Sequence, residues 1–163
     1  MNAAVVVFAV GNPSRGDDAI GPLLLERLGG WLDDEGLAGQ FELIEDFQLQ
    51  IEHALDLGGR RLALFIDAGA GTPGPYTFRR IAPATGIAHT THELPPEAVL
   101  QVYRQTEGAE PPPAFVLCVR GEQFELGEPL TAAATAGLEG AWQLLTELCR
   151  KSVLTEWERA ALA

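Results

Sequence analysis

Four aspartates stand where short apolar runs give way to polar chain, and their positions suggest acid–base or metal chemistry. Asp17 and Asp18 follow the run 3–10, Asp46 follows 41–45 and Asp67 follows 61–66. If those runs are parallel strands, all the carboxylates emerge on one edge of the sheet, where α/β proteins form ligand sites at the point where strand order reverses. A single acid at a strand end is ordinarily a helix cap or a surface charge. Three strands each delivering one to the same edge point to a shared site.

The richest of these segments is Gly11-Asn12-Pro13-Ser14-Arg15-Gly16-Asp17-Asp18-Ala19-Ile20-Gly21. Gly11 and Gly16 have the spacing of a phosphate-binding P-loop, but that loop continues with Lys and Ser or Thr, whereas two aspartates follow here. The substitution reverses the sign of the site, so that it repels phosphate and suits a cation or a proton transfer. A dinucleotide fingerprint fails too, because its middle glycine would fall on Pro13. Two readings remain open for the aspartates: an N-cap on the helix that follows, or part of a functional site.

The histidines offer a second kind of group. His92, in His89-Thr90-Thr91-His92-Glu93, could reach the same edge if the helix after Pro95-Pro96 packs beside the first strands; its plain alternative is an exposed loop histidine. His89 has less to recommend it. His53 falls inside a helical pattern, where partial burial explains it.

No conventional nucleophile is evident. Ser14 and Ser152 are the only serines, and Ser14 has Asn12 where a nucleophile elbow needs glycine. Cys118 lies in an apolar run and Cys149 on a helical face, so both read as buried small hydrophobes, without the exposure and positive charge of a reactive thiolate. Water is therefore the expected attacking group. Two carboxylates and an imidazole could grip a metal with open positions or activate that water by proton transfer, and the residue types leave both open. Nickel, zinc and manganese all accept such a donor set.

The loop resembles the signature of the [NiFe] hydrogenase maturation endopeptidases, whose pattern is close to Gly-Asn, a few residues, then Asp-Asp-Gly-x-Gly. Gly11-Asn12, Asp17-Asp18 and Gly21 match, and Ala19 stands where glycine is usual. Thr90-Thr91-His92 is similar to the Ser/Thr-Ser/Thr-His segment of that family, and Asp67 to the aspartate that ends one of its inner strands. The resemblance extends to the late strand over 115–120 and the final helix. It implies that Asp18, Asp67 and His92 are both the catalytic and the metal-contacting residues. It further implies that the nickel is carried by the substrate, the large-subunit precursor of a [NiFe] hydrogenase, whose C-terminal extension is removed, with no organic cofactor. Many members have Asp-Gly-Gly-Thr after the second strand, whereas here Asp46-Phe47-Gln48-Leu49-Gln50 resembles the subgroup acting on soluble NAD(P)-linked hydrogenases. Asp46 and Gln48 are accordingly expected to bind substrate. A non-proteolytic metal-binding maturation chaperone for the same precursor, or a small α/β hydrolase of unrelated substrate, would carry similar residues.

These groups need a scaffold, and the remaining sequence supplies one. The runs 3–10, 41–45, 61–66 and 114–119 alternate mostly with helical patterns, which implies a largely parallel sheet. Glycines and prolines between 69 and 75 precede a further strand over 76–81, a short return expected to be antiparallel. Pro22 opens a first helix with Ile20, Leu23, Leu24, Leu28 and Trp31 on one face. A second helical pattern covers 50–57, and a third follows Pro95-Pro96 with Val99, Leu100 and Tyr103 at helical spacing. The last helix carries Leu138, Trp142, Leu145, Leu148 and Cys149, ahead of a polar tail from about 152. The expected fold is one α/β domain over 1–163, a three-layer α/β/α sandwich of about five strands, mostly parallel with one antiparallel.

Composition excludes several alternatives. At 163 residues and 47% apolar the chain can build one sizeable core. A formal net charge of −12, with Lys151 the single lysine, leaves no basic patch for nucleic acid. No stretch is apolar enough to cross a bilayer, no export signal is evident, and two unpaired cysteines suit the cytoplasm.

Overall fold

The computed structural model describes residues 2–84 and 94–163. Five strands form one sheet in the order β2-β1-β3-β5-β4, namely β1 (Val5–Val10), β2 (Phe41–Asp46), β3 (Leu62–Ala70), β4 (Tyr76–Ile81) and β5 (Ala114–Gly121). All neighbouring pairs are parallel except β4 with β5, which runs antiparallel at the edge. This is the expected fold class. The β1 residues are buried on both faces, which explains why that strand reads as an unbroken apolar run rather than an alternating one.

Period-two alternation divides the strand side chains between two cores. On one face Val5, Val7, Leu62, Leu64, Ile66, Phe115 and Leu117 pack against α1 (Ile20–Asp34), α3 (Ala132–Arg150) and α4 (Leu154–Leu162). On the other face Val6, Phe8, Phe65 and Val116 meet α2 (Pro96–Glu107) and a 3-10 turn over Ile51–Leu57, the form taken by the helical pattern at 50–57. The stripe of α1 is Ile20, Leu24, Leu25, Leu28 and Leu32, all buried, while Leu23 is turned out.

The expected polar tail is instead helix α4. Its one fully buried residue, Trp157, stands edge-on to Phe115 at 5.4 Å and donates its indole N–H to the Leu148 carbonyl at 2.9 Å. Burying an indole with its N–H satisfied contributes roughly 2–3 kcal/mol, enough to seat a nine-residue helix whose remaining residues are mostly polar or small.

One feature of the sheet prepares the site. Pairing of β1 with β3 stops at Ala9 and Ile66, but β3 and β5 continue together for four more residue pairs, from Asp67 with Cys118 to Ala70 with Gly121. Asp67 therefore lies within β3 rather than at its end, on the first residue pair beyond β1. Strand order also reverses between β1 and β3, because β1 leads outward to β2 and β3 leads toward β5.

Candidate active site

The segment after β1 is held by its own polar groups. Asn12 donates its backbone N–H to Asp18 Oδ2 at 2.7 Å, while its side-chain carbonyl accepts the Ser14 N–H at 2.9 Å. The Gly11 N–H reaches the Asp46 carbonyl at 3.1 Å, joining the ends of β1 and β2. Gly11 has φ +147°, and a side chain there would run into the Asp18 backbone carbonyl. Gly21 serves a different need: a Cβ at that position would stand 2.6 Å from the Val10 carbonyl oxygen and 3.2 Å from that of Ile66. Glycine thus lets the first turn of α1 press against β1 and β3, bringing Asp18 over the sheet edge.

The two adjacent aspartates have separate tasks. Asp17 is fully buried and accepts four hydrogen bonds, from the backbone N–H groups of Glu122 (2.7 Å), Gln123 (3.1 Å) and Thr131 (2.8 Å) and from the Thr131 hydroxyl (2.9 Å). Burial works to raise its pKa, but those donors outweigh burial and hold the carboxyl below the usual aspartate range. It ties the β1–α1 loop to the connection between β5 and α3. Neither aspartate caps α1 with its side chain, so the N-cap reading does not hold for this loop. Asp18, half-buried, is left to the site.

Asp18 and Asp67 line one cavity of about 240 Å³, together with Val10, Phe47, Ala68 and Phe124. Asp67 also accepts the Ala68 N–H at 2.7 Å through Oδ1. A carboxylate from the turn after β1 and one from within β3 thus open onto a common space, which disfavours anions and suits a cation or a polarised water. Cys118, its partner across β3 and β5, is half-buried rather than fully buried, with Sγ 3.3 Å from the Thr72 hydroxyl. Burial, with the Asp67 charge adding to it, pushes the Cys118 thiol up against the opposing effects of Thr72 and Arg79. Cys149 is buried as expected and is pushed up to about 12 by that burial. Both cysteines stay protonated at neutral pH, in keeping with water as the attacking group.

His92, with His89 and Thr90-Thr91, lies outside the described residues. Asp46 and Gln48 flank Phe47 on the segment leaving β2. The Asp46 carboxylate accepts the Phe47 N–H at 2.7 Å and stands 3.4 Å from His53 Nε2. His53 is buried edge-on against Phe8, and its Nδ1 accepts the Gln50 N–H at 2.8 Å, closing a capping box on the 3-10 turn. That bond puts the neutral ring's proton on Nε2, facing Asp46. The Gln50-x-x-His53 spacing was the one available sign of this clamp. Nothing in the sequence marked Phe47 and Phe124 as walls of the cavity.

No family model and no curated protein matches the sequence. Solved structures do match. A [NiFe] hydrogenase maturation protease HycI from Thermococcus kodakarensis KOD1 superposes with a TM-score of 0.67 at 22% identity, over 91% of this chain and 94% of that one. The hydrogenase maturating endopeptidase HybD from Escherichia coli gives 0.66 at 23% identity, covering 91% and 93%. An endopeptidase from Escherichia coli, solved in solution, gives 0.65 at 27% identity, covering 91% and 94%. Over nearly its whole length, then, the chain has the fold of the [NiFe] hydrogenase maturation proteases.

Proposed function

We propose that the chain is an endopeptidase that removes the C-terminal extension of the nickel-loaded large-subunit precursor of a [NiFe] hydrogenase, of the type serving soluble NAD(P)-linked enzymes in the cytoplasm. The observation that carries this reading is the opening of Asp18 and Asp67 onto one cavity at the strand-order reversal of this fold. The resemblance in the residues around Gly11–Gly21, Asp67 and His92 supports it.

In this reading nickel belongs to the substrate. Asp18, Asp67 and His92 meet the precursor's metal and so fix the scissile bond beside the cavity, while Asp46 and Gln48 border the incoming chain. A water held by a carboxylate adds to the scissile carbonyl carbon as the carboxylate takes its proton. The C–N bond then breaks, and the proton passes to the leaving amine. The fixed positions of Asp18 and Asp67 make this addition effectively intramolecular. No step needs an organic cofactor.

Incubating the protein with a large-subunit precursor and following intact mass and complex size tests the reading. An endopeptidase shortens its partner by the extension and then releases it. A complex that persists with the precursor at full length would instead identify a maturation chaperone.

A further inference from the structure

We propose that the segment from Phe47 to Leu55 is the docking surface for the precursor polypeptide, engaging a stretch that carries apolar side chains flanked by Lys or Arg. The inference rests on the peptidase reading above. Phe47, Ile51 and Leu55 are 62%, 61% and 73% exposed, three large apolar side chains within nine residues. Scattered apolar residues on a surface need no explanation, but these three follow one another along the segment that leaves β2 at the cavity, where Phe47 belongs to the wall.

The segment is held firmly. Leu49, Ala54 and Leu57 anchor it in the core from below, and the Asp46–His53–Gln50 contacts fasten its turn. Its apolar side chains are thus presented on a fixed backbone, and docking would cost little ordering entropy.

Charge indicates what would dock. Between 41 and 59 the chain carries Glu42, Glu45, Asp46, Glu52 and Asp56 and no lysine or arginine; Arg60 pairs with Glu42 and His53 faces Asp46, which leaves Glu45, Glu52 and Asp56 as the negative surplus. Across the cavity the connection after β5 adds exposed Glu122, Glu125 and Glu128 around Phe124 and exposed Leu126; Arg120 faces Glu122 at 3.7 Å and Arg15 donates to the Phe124 carbonyl at 3.4 Å, so the surplus charge there is that of Glu125 and Glu128. Apolar anchors bordered by a surplus of negative charge complement an apolar stretch with cationic neighbours, and the net charge of −12 speeds its approach.

The test compares wild type, Ile51→Ser/Leu55→Ser and Leu162→Ser, the last altering an exposed leucine in α4. Each is titrated with purified large-subunit precursor bearing its extension, measuring Kd, KM and kcat, and hydrogen exchange is followed over 47–57. The expected result is a Kd and KM at least tenfold higher for the double variant, with kcat within twofold and Leu162→Ser unchanged. Wild-type affinity is also expected to fall with added salt, and exchange over 47–57 to slow on binding. Wild-type affinity in the double variant with no slowing over 47–57 would overturn the docking surface while leaving the peptidase reading intact. The same would follow if the substitutions only dissociated a dimer of the protein itself. Weakened binding of a precursor that wild type holds but never shortens would uphold the docking surface and refute the peptidase.

Discussion

Replacing Asp17 should destabilise the protein more than replacing the neighbouring Asp18, although the two are adjacent and chemically identical. Asp17 accepts three backbone N–H groups and one hydroxyl at 2.7 to 3.1 Å and is fully buried. Hydrogen bonds to a charged group contribute about 1.5–3 kcal/mol each, but water entering the loop would recover part of four such bonds. Asp17→Ala is therefore expected to cost about 3–5 kcal/mol. Asp17→Asn keeps the shape but turns an NH₂ toward a donor, for about 2–3 kcal/mol. For a domain of this size the alanine variant should melt roughly 10 °C lower. The pH dependence gives a second reading. Because the folded-state pKa is depressed, the stabilisation is complete above the unfolded value of about 3.9 and is lost as pH falls through the lower folded value. Wild type should lose stability relative to Asp17→Asn across that acid window, by up to about 1.4 kcal/mol per pH unit. Urea unfolding at pH 7 and at steps from 5 to 2 measures both effects. A penalty under about 1 kcal/mol for Asp17→Ala, or parallel pH profiles for wild type and Asp17→Asn, would refute the clamp.

Trp157→Ala should cost about 3–5 kcal/mol in the same unfolding experiment, because it empties a fully buried site between α4 and β5; a small effect would return residues 154–162 to the status of a polar tail. Gly21→Ala is expected to cost about 1–3 kcal/mol and to lower cleavage activity, since its methyl would meet the Val10 carbonyl oxygen at 2.6 Å and push α1 and Asp18 away from the sheet; a stabilised, fully active variant would contradict that close approach. Asp18, Asp67 and His92 would offer a metal three surface ligands without a closed shell, so the isolated protein should bind nickel only weakly by titration calorimetry, and tight stoichiometric binding would favour the chaperone.

The sheet was legible because β1, β3 and β5 are buried on both faces and so appear as continuous apolar runs, with glycines and prolines marking the turn into β4. Helix α4 was hidden because Trp157 is its one fully buried residue, with only Leu154, Ala160 and Ala161 packed partly beside it, a signal too short for periodicity to register. The site was legible at the level of sheet edges: carboxylates after β1 and within β3 do share a cavity. How Asp17 and Asp18 divide their roles was not. That division comes from hydrogen bonds spanning 105 to 114 residues, which local pattern cannot convey. Likewise, Phe47 and Phe124 became neighbours of the carboxylates only through the register of β2 with β1 and the pinning of the loop after β5 by Asp17.

The role of the two carboxylates is tested by following the C-terminal mass of nickel-loaded and nickel-free large-subunit precursor with wild type, Asp18→Asn, Asp67→Asn, the double variant and His92→Ala. Shortening by wild type is expected only when nickel is present, with its loss in both asparagine variants and a partial defect in His92→Ala. Asparagine keeps the carboxylate's shape while removing the charge that a cation or an activated water requires, whereas water can partly replace an imidazole. Full cleavage by the Asp18→Asn/Asp67→Asn double variant would show that neither carboxylate takes part in the reaction, and equal cleavage of nickel-free precursor would remove the metal from recognition.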